Sequence, residues 1–241
     1  MKFERVSIAP NPRKKWAYQV ARALHIFLKK HKIRVTHSRR HADLLITIGG
    51  DGTILREKKH CDLPIFGIGS KSSFVCQARK DDWKKVLSKA LRRPRVEERM
   101  LLMSWLNGKR LEDAMNDVFV RNSDHRILEF DLRIDKKRFK FEGDGVIFST
   151  PTGSTAYAYS AGGKELTPSS RKYEIVGIAP YRRSFKPQTV DEGKTSEVII
   201  HTERSAIAVV DGQFSHRLKA GRNRLLVKKA KRKIKLLNSS N

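Results

Sequence analysis

Three glycines and an aspartate follow a run of apolar residues in the segment TIGGDGTIL, residues 47–55. Glycines let the backbone turn sharply and approach a ligand closely, because no Cβ intervenes. Backbone N–H groups at such a turn suit a phosphate group. Asp51 is the one acid in the turn, and its carboxylate could accept a proton from a hydroxyl or hold Mg²⁺. The segment is neither a GxGxxG fingerprint nor a P-loop, and a tight turn capped by Asp51 is the alternative without a ligand.

A second glycine-rich stretch, GDGVIFSTPTGSTAYAYSAGG at residues 143–163, combines small hydroxyl residues with two tyrosines. The hydroxyls offer short donors and acceptors, while Tyr157 and Tyr159 offer aromatic faces. This combination suits a nucleoside, which has ribose hydroxyls, a purine edge and a π-face. A Gly/Ser-rich connection between two strands is the alternative without a ligand.

The elements that must position these motifs differ between the two halves of the chain. In the first half, strands predicted in RVSIAP, KIRVTH, DLLITIGG and LPIFGIG alternate with amphipathic helices in KKWAYQVARALHIFLKKH and DDWKKVLSKALRRP. We therefore predict an α/β domain over residues 1–97, with an open, mostly parallel sheet. The GGDGT turn then lies at the C-terminal end of a strand, where ligands bind in such sheets.

After Pro94 the apolar pattern changes from helical spacing to alternation, which predicts a β-rich domain over residues 98–241. Asn107-Gly108 is a strong two-residue hairpin signal. A second hairpin is predicted in LEFDLRIDKKRFKFEGDGVIFST, turning at Lys136 and Lys137, and a third in SEVIIHTERSAIAVVDGQ.

The charge of the chain is unusual, since 52 Lys and Arg residues against 25 Asp and Glu residues give a net charge of +27. Such an excess attracts anions, whether nucleic acid, anionic lipid or a phosphorylated small substrate, and does not choose among them. The densest basic run, KKAKRKIK at residues 228–235, has no aromatic residue for base stacking. It is typical of a strand or tail with a solvated cationic face.

Neither a membrane span nor a signal peptide is evident, because no stretch approaches the roughly 18 to 20 apolar residues of a span and the N-terminus MKFERVSIAP has no apolar core. We therefore expect a cytoplasmic protein without membrane contact. Cys61 and Cys76 have neither the number for a disulfide framework nor the spacing of a zinc or redox site.

Three motifs, in order along the chain, resemble those of the NAD kinase family. They are GGDGT at 49–53, MND at 115–117 in place of the family's LN[ED], and DGVIFSTPTGSTAYAYSAGG at 144–163, with VVDGQ at 209–213 as a weaker fourth. The resemblance covers nearly the whole chain and looks most like archaeal members. It implies transfer of a phosphoryl group from ATP, or in some members polyphosphate, to the adenosine-ribose 2′-hydroxyl of NAD, giving NADP. It also implies an NAD kinase-like fold, with an α/β N-terminal domain, a β-rich C-terminal NAD-binding domain and the site between them.

The resemblance implies roles for the residues that match the motifs. Asp51 is expected to be the catalytic carboxylate, and Mg²⁺ to arrive with ATP, so that no residue is expected to form a dedicated metal site. Asn116 and Asp117 are expected to hold ribose and amide groups of NAD. The other residues expected to contact the nucleotide substrates are Gly50, Gly52, Thr53, Arg56, Arg126, Asp144, Thr155, Ala156, Tyr157, Ser160 and Gln213. A homo-oligomer, either a dimer or a tetramer, is expected.

One segment departs from the family pattern: GIGSKSSFVCQ at residues 67–77 has Gly69 where the family's GINxGxLGFL has asparagine. This departure leaves open a catalytically weakened NAD-binding paralogue. A lipid kinase would share GGDGT but should lack TPTGSTAY. A nucleic-acid-binding protein, the less expected alternative, would use the charge of +27 without needing Asp51. The sequence does not choose between ATP and polyphosphate, or between NAD and NADH.

Overall fold

The computed structural model describes residues 2–58, 62–124 and 126–239, which form two compact units. Unit 1 comprises the residues up to Glu98 and those from Ile234 onwards, and unit 2 comprises Arg99–Lys233. Cys61 lies outside the described residues. No helix in the described part of the chain is long and apolar enough to cross a membrane.

Unit 1 is built on a seven-stranded sheet. Its strands are β1 (Arg5–Pro10), β2 (Arg34–Val35), β3 (Leu44–Ile48), β4 (Ile65–Gly69), β5 (Ala78–Arg79), β6 (Pro94–Arg99) and β19 (Ile234–Ser239). The sheet order is β2-β1-β3-β4-β19-β6, and β5 also pairs with β4. The pairings β1–β2, β1–β3, β3–β4, β4–β5 and β4–β19 are parallel, which confirms the predicted α/β sheet.

Three helices, α1 (Lys15–Lys30), α2 (Asp51–Glu57) and α3 (Trp83–Arg92), accompany this sheet. Leu24 and Leu28 of α1 are fully buried in the same core as Trp83 and Leu87 of α3, because helical spacing places each pair on one face. The ring of Phe27 meets that of Trp83 edge-on at 5.4 Å. The predicted apolar stripes of both helices therefore face the core.

The last strand, β19, completes the sheet of unit 1, between β4 and β6. The predicted division at residue 97 leaves this strand with the β-rich domain, whereas the structure pairs Leu236 with Ile65 of β4. The reason is that alternating apolar residues identify a strand but not the sheet it joins. Of the basic run, Lys228 and Lys229 belong to unit 2, and Lys235 is an exposed residue of β19.

We expect Leu237→Ala to destabilise unit 1 by about 2–5 kcal/mol, the usual cost of removing a buried leucine side chain. Leu237 is fully buried in the core that the helices share. Urea denaturation checks this, with Lys235→Ala as the control, because Lys235 is exposed on the same strand. Equal stability of the two variants would show that β19 contributes little to the unit.

Unit 2 consists of two six-stranded sheets. The first has the order β11-β10-β15-β18-β7-β8 and the second β14-β13-β12-β9-β16-β17. All of their strand pairings described here are antiparallel. The strands are β7 (Leu102–Leu106), β8 (Lys109–Arg110), β9 (Asp117–Asn122), β10 (Leu128–Ile134), β11 (Lys137–Gly143), β12 (Gly145–Ser149), β13 (Lys172–Ile178), β14 (Gln188–Asp191), β15 (Ser196–Thr202), β16 (Ala206–Val210), β17 (Phe214–Leu218) and β18 (Gly221–Lys229).

The core of unit 2 takes alternate residues from strands of both sheets, including Leu128, Phe130 and Leu132 of β10 and Val118 and Val120 of β9. This alternation is the pattern that predicted a β-rich domain, and the prediction is confirmed. A four-residue helix, α4 (Tyr157–Ser160), also belongs to unit 2.

Two of the three hairpin predictions need correction. The Asn107-Gly108 turn is confirmed, with φ of 49° and 83°. The second turn lies at Asp135-Lys136, one residue earlier than predicted, because Asp135 adopts a φ of 56° that aspartate tolerates better than lysine. The third predicted hairpin is wrong, since β15 and β16 belong to different sheets.

Candidate active site

The GGDGT turn joins β3 to α2 and requires its glycines. Gly49 and Gly50 have φ of 151° and 117°, values that L side chains rarely adopt. A Cβ on Gly49 would also lie 2.4 Å from Cβ of Asn11 and 2.5 Å from Oγ1 of Thr53. The buried Thr53 hydroxyl accepts a hydrogen bond from Nδ2 of Asn11 at 3.3 Å. The turn is therefore packed against the end of β1 and cannot accommodate larger residues.

Asp51, the first residue of α2, is held by a loop that follows β4. Its Oδ2 accepts the N–H of Phe74 at 2.7 Å, and its Oδ1 accepts the N–H groups of Val75 and Cys76, both at 3.0 Å. Bonds from three successive amides fix the orientation of the carboxylate. The ring of Phe74 is 85% exposed at this point.

The same loop explains the departure from the family pattern in GIGSKSSFVCQ. A Cβ on Gly69 would lie 2.3 Å from Oγ of Ser73 and 2.9 Å from Cβ of Cys76, so the loop folds back onto a position where only glycine fits. Ser73 in turn accepts the N–H of Ser70 at 3.1 Å. Burial, and after it the neighbouring Asp51 carboxylate, raises the pKa of the Cys76 thiol well above its usual range. Cys76 is therefore a neutral thiol at physiological pH.

Two residues of this part of the site were missed by the sequence analysis. Asn11 supports Thr53, and Nζ of Lys14 donates to the carbonyl of Gly49. Both follow β1, whose C-terminal end lies beside that of β3 in the parallel sheet, and this adjacency is the signal that could have found them. Arg56, one of the residues predicted to contact the nucleotide substrates, forms an ion pair with Glu57, with its Nε 2.9 Å from Oε1 of Glu57.

In unit 2, the predicted pair Asn116 and Asp117 lies where β9 begins. The N–H of Asn116 donates to Oδ1 of Asp211 at 2.7 Å, and the carbonyl of Asn116 accepts the N–H of Thr150 at 2.8 Å. A Cβ on Gly153 would lie 2.1 Å from the carbonyl oxygen of Asn116. The structure therefore brings the MND and TPTGSTAY motifs into direct contact.

Two buried polar atoms in these motifs have no hydrogen-bond partner in the described part of the chain: Oδ1 of Asn116 and Oγ1 of Thr152. An unsatisfied buried acceptor or hydroxyl costs about 1–3 kcal/mol, so such atoms call for a partner. Thr152 was not among the predicted binding residues, although it stands within the predicted motif.

The predicted residues Thr155 to Ser160 follow directly, in a 3₁₀ turn (Gly153–Thr155) and α4. Ala158 is buried beside Ile147 and Val176, and Tyr157 packs edge-on against Phe119 with ring centroids 5.2 Å apart. This packing anchors the segment. Ala156 is half-buried, and the side chains left exposed are Thr155, Tyr159 and Ser160.

Two predicted residues lie at the other end of the same sheet. Oδ1 of Asp144 accepts from Nδ2 of Asn122 at 3.2 Å, and the same amide donates to the carbonyl of Arg126 at 2.9 Å. Asn122 is the last residue of β9 and Asp117 is the first. Roughly 17 Å of strand therefore separates Asp117 from the end of β9 at which Asp144 and Arg126 lie. Gln213, by contrast, lies in the turn after β16, with its N–H on the carbonyl of Val210, whose partner in β9 is Val118.

Asp117 is a carboxyl group in an unusual environment. It is 5% exposed, and burial, followed by the charge of Asp211, raises its pKa to about 7. Asp117 therefore exchanges its proton near neutral pH, where an ordinary aspartate is fully ionised.

Because the pKa of Asp117 is raised, we predict that the free energy of unfolding of Asp117→Asn, relative to that of the wild type, increases as pH rises. In the wild type, Asp117 ionises near pH 4 when unfolded but only near pH 7 when folded, so its contribution to stability is present at acidic pH and is lost by neutral pH. An asparagine side chain does not ionise in this pH range, so the variant does not lose stability in this way. We expect the stability difference between variant and wild type to grow by roughly 2–3 kcal/mol between about pH 5 and about pH 8.

Urea denaturation at both pH values measures this difference. Asp191→Asn, which removes the charge of an exposed aspartate of the same unit, is the control. A stability difference for Asp117→Asn that stays constant over this range would mean that the group titrates normally.

No group of three or more His, Cys, Asp or Glu side chains that could hold a metal ion occurs within residues 2–58, 62–124 and 126–239.

Known proteins with similar sequences identify the family. The model of the ATP-NAD kinase C-terminal domain matches residues 115–239, which include the MND, TPTGSTAY and DGQ motifs. The NAD kinase of Thermoplasma volcanium is 35% identical over 185 residues, which are 75% of this chain and 68% of that protein. The chain belongs to the NAD kinase family. It spans about two thirds of the length of this archaeal relative.

Solved structures of NAD kinase family members have the same fold. An NAD kinase from Archaeoglobus fulgidus, crystallised in complex with ATP, superposes with a TM-score of 0.80 at 26% identity, over 96% of this chain and 92% of that chain. Yeast NADH kinase, crystallised with NADH, gives a TM-score of 0.84 at 21% identity, over 100% of this chain and 84% of that chain. These similarities confirm the predicted NAD kinase-like fold.

Proposed function

We propose that this protein is an NAD kinase that transfers a phosphoryl group from ATP to the adenosine-ribose 2′-hydroxyl of NAD and forms NADP. The observation that carries the proposal is a pair of buried atoms, Asn116 Oδ1 and Thr152 Oγ1, which lie in two motifs that contact each other and have no hydrogen-bond partner among residues 2–58, 62–124 and 126–239. The amide and hydroxyl groups of NAD would satisfy such atoms. Family membership favours this activity over a lipid kinase or a nucleic-acid-binding protein.

In this proposal Asp51 accepts the proton of the attacking hydroxyl, because phosphoryl transfer depends on positioning the nucleophile and neutralising charge. A carboxylate has about four acceptor positions. Three are taken by the N–H groups of Phe74, Val75 and Cys76, and the Cys76 thiol lies beside the carboxylate as a weak donor. The substrate hydroxyl, a stronger donor, would take the place of that thiol.

Mg²⁺ enters with ATP in this proposal, as part of the substrate, since Mg²⁺ in phosphoryl-transfer sites is commonly bound through substrate phosphates and one or two carboxylates. It would neutralise charge on the transferred phosphoryl group. The amide donors hold the Asp51 carboxylate in one orientation, and Lys14 supplies positive charge at the carbonyl of Gly49 in the GGDGT turn. Arg56, on α2 beyond the turn, is paired with Glu57. The nucleotide-binding roles of Gly50, Gly52 and Thr53 are part of the same proposal.

A homo-oligomer, dimer or tetramer, is also proposed. The support is the position of Arg126 and Asp144, which lie roughly 17 Å along β9 from Asp117. If Arg126 and Asp144 also contact a nucleotide, that nucleotide could be one bound mainly by a second copy of the chain. Light scattering should give a mass of two or four chains, and a monomer that is fully active would contradict the proposal.

The activity is tested by incubating the full chain with ATP, Mg²⁺ and NAD, and measuring NADP with an NADP-specific dehydrogenase. Parallel reactions with NADH as acceptor and polyphosphate as donor identify the substrate pair. Protein that binds NAD but forms NADP in none of these reactions would be the catalytically weakened paralogue instead.

A further inference from the structure

Asp211 is a buried aspartate in the turn between β16 and β17, and only 6% of its surface is exposed. Its Oδ1 accepts the N–H groups of Met115 at 3.0 Å, Asn116 at 2.7 Å and Asp117 at 3.2 Å. Oδ2 accepts the N–H of Met115 as well, at 3.1 Å. One carboxylate therefore binds three successive amides that stand 94 to 96 residues earlier in the chain.

The backbone of the turn fits this arrangement. Asp211 has a φ of 52°, a conformation that aspartate adopts more readily than most residues. Its own N–H donates to the carbonyl of Asp117 at 2.9 Å, so the two segments are joined in both directions. Hydrogen bonds to an ionised acceptor are stronger than those between neutral groups. The segment 115–117 is thus fixed more firmly than pairing of β9 alone would achieve.

The fixed segment carries the proposed NAD contacts. Asn116, whose Oδ1 is buried and unpartnered in the described part of the chain, has its backbone held from both sides, by Asp211 on its N–H and by Thr150 on its carbonyl. Burial, and after it the charge of Asp211, raises the pKa of Asp117. Asp211 therefore holds the backbone of Asn116 in place through a direct hydrogen bond.

We propose that Asp211 is a positioning residue for NAD, which holds residues 115–117 in the conformation that presents Asn116 and Asp117 to the dinucleotide. The inference rests on the proposed function in that it takes this segment to be the NAD contact. Asp211 itself touches the backbone of the segment, and its effect is on affinity for NAD rather than on the transfer of the phosphoryl group.

The test compares Asp211→Asn and Asp211→Gly with a matched control, Asp135→Asn. Asparagine and glycine both tolerate the positive φ, so the backbone of the turn is kept. Asparagine retains one acceptor oxygen without the charge, and glycine retains neither. Asp135 is also an aspartate with positive φ in a turn of unit 2, and its carboxylate lies 3.5 Å from Nζ of Lys194.

We expect the Kd for NAD, measured by calorimetry without ATP, to rise roughly 10- to 100-fold in Asp211→Gly and by less in Asp211→Asn. The KM for NAD should rise in parallel, while kcat and the KM for ATP change less than about threefold. Hydrogen exchange at the amides of residues 115–117 should accelerate in both variants. Asp135→Asn should match the wild type in all these measurements.

Other results would contradict the positioning role of Asp211, the proposed NAD kinase activity, or both. Unchanged NAD affinity in Asp211→Asn and Asp211→Gly, or equal losses for NAD and ATP together with a lower melting temperature, would overturn the positioning role. If the wild type binds NAD but forms no NADP, the proposed function fails, while the calorimetric comparison still tests Asp211. A wild type that does not bind NAD would overturn both.

Discussion

Replacing Asp51 with asparagine is expected to lower kcat for NADP formation by about 10²- to 10⁴-fold, the usual contribution of a general base. An amide cannot accept the proton of the attacking hydroxyl. The asparagine oxygen can still accept the N–H groups that Val75 and Cys76 donate to Oδ1, whereas the amide nitrogen in place of Oδ2 cannot accept the N–H of Phe74 and must turn away from it. The KM for NAD should therefore change only a few-fold, and the fold should be kept.

The matched control for this variant is Asp43→Asn, also in unit 1. Oδ2 of Asp43 accepts the N–H groups of Glu4 at 3.0 Å and Arg5 at 2.9 Å, so its carboxylate has the same backbone role without a place in the GGDGT turn. Kinetics and melting temperatures of both variants separate chemistry from loop structure. Wild-type turnover by Asp51→Asn would remove Asp51 from the mechanism.

Gly153→Ala is expected to raise the KM for NAD by at least about tenfold and to destabilise unit 2 by about 1–3 kcal/mol, as overpacking does. The new Cβ would lie 2.1 Å from the carbonyl oxygen of Asn116, 2.4 Å from its carbonyl carbon and 2.6 Å from its Cα. All three are backbone atoms, so no side-chain rotation relieves the clash. Asn116 or the TPTGSTAY loop must move.

Gly193→Ala is the control, because a Cβ there meets no atom within 4 Å and Gly193 does not have positive φ. Steady-state kinetics for both substrates and thermal melting are measured on each variant. If Gly153→Ala kept the wild-type KM for NAD at full stability, the contact between the two motifs would have no part in binding.

The sequence was informative about Asp51 and uninformative about what holds it. Glycines in GGDGT marked a turn after a buried strand, and the turn is there. The donors to Asp51, however, are backbone N–H groups of Phe74, Val75 and Cys76. Every residue except proline carries such a group, so residue types give no sign of these contacts. Only the path of the loop after β4 creates them.

The same limit applies in unit 2. The VVDGQ motif directed attention to Gln213, while Asp211 in the same motif makes the long-range bonds to the segment 115–117. Strand positions were predictable from alternation, but the partners of strands were not, as β15, β16 and β19 show. Pairing between distant segments depends on the whole chain, whereas alternation is a property of a few neighbouring residues.

The position of β19 also bears on how the protein is made. Unit 2 is one continuous segment and is able to fold as it leaves the ribosome, since domains fold as units during synthesis. The sheet of unit 1 lacks the strand between β4 and β6 until Ile234–Ser239 has been synthesised. Up to that moment β4 and β6 present open edges, on which strands of other nascent chains are able to pair. The interval between synthesis of β6 and synthesis of β19 is therefore one in which unit 1 is exposed to aggregation.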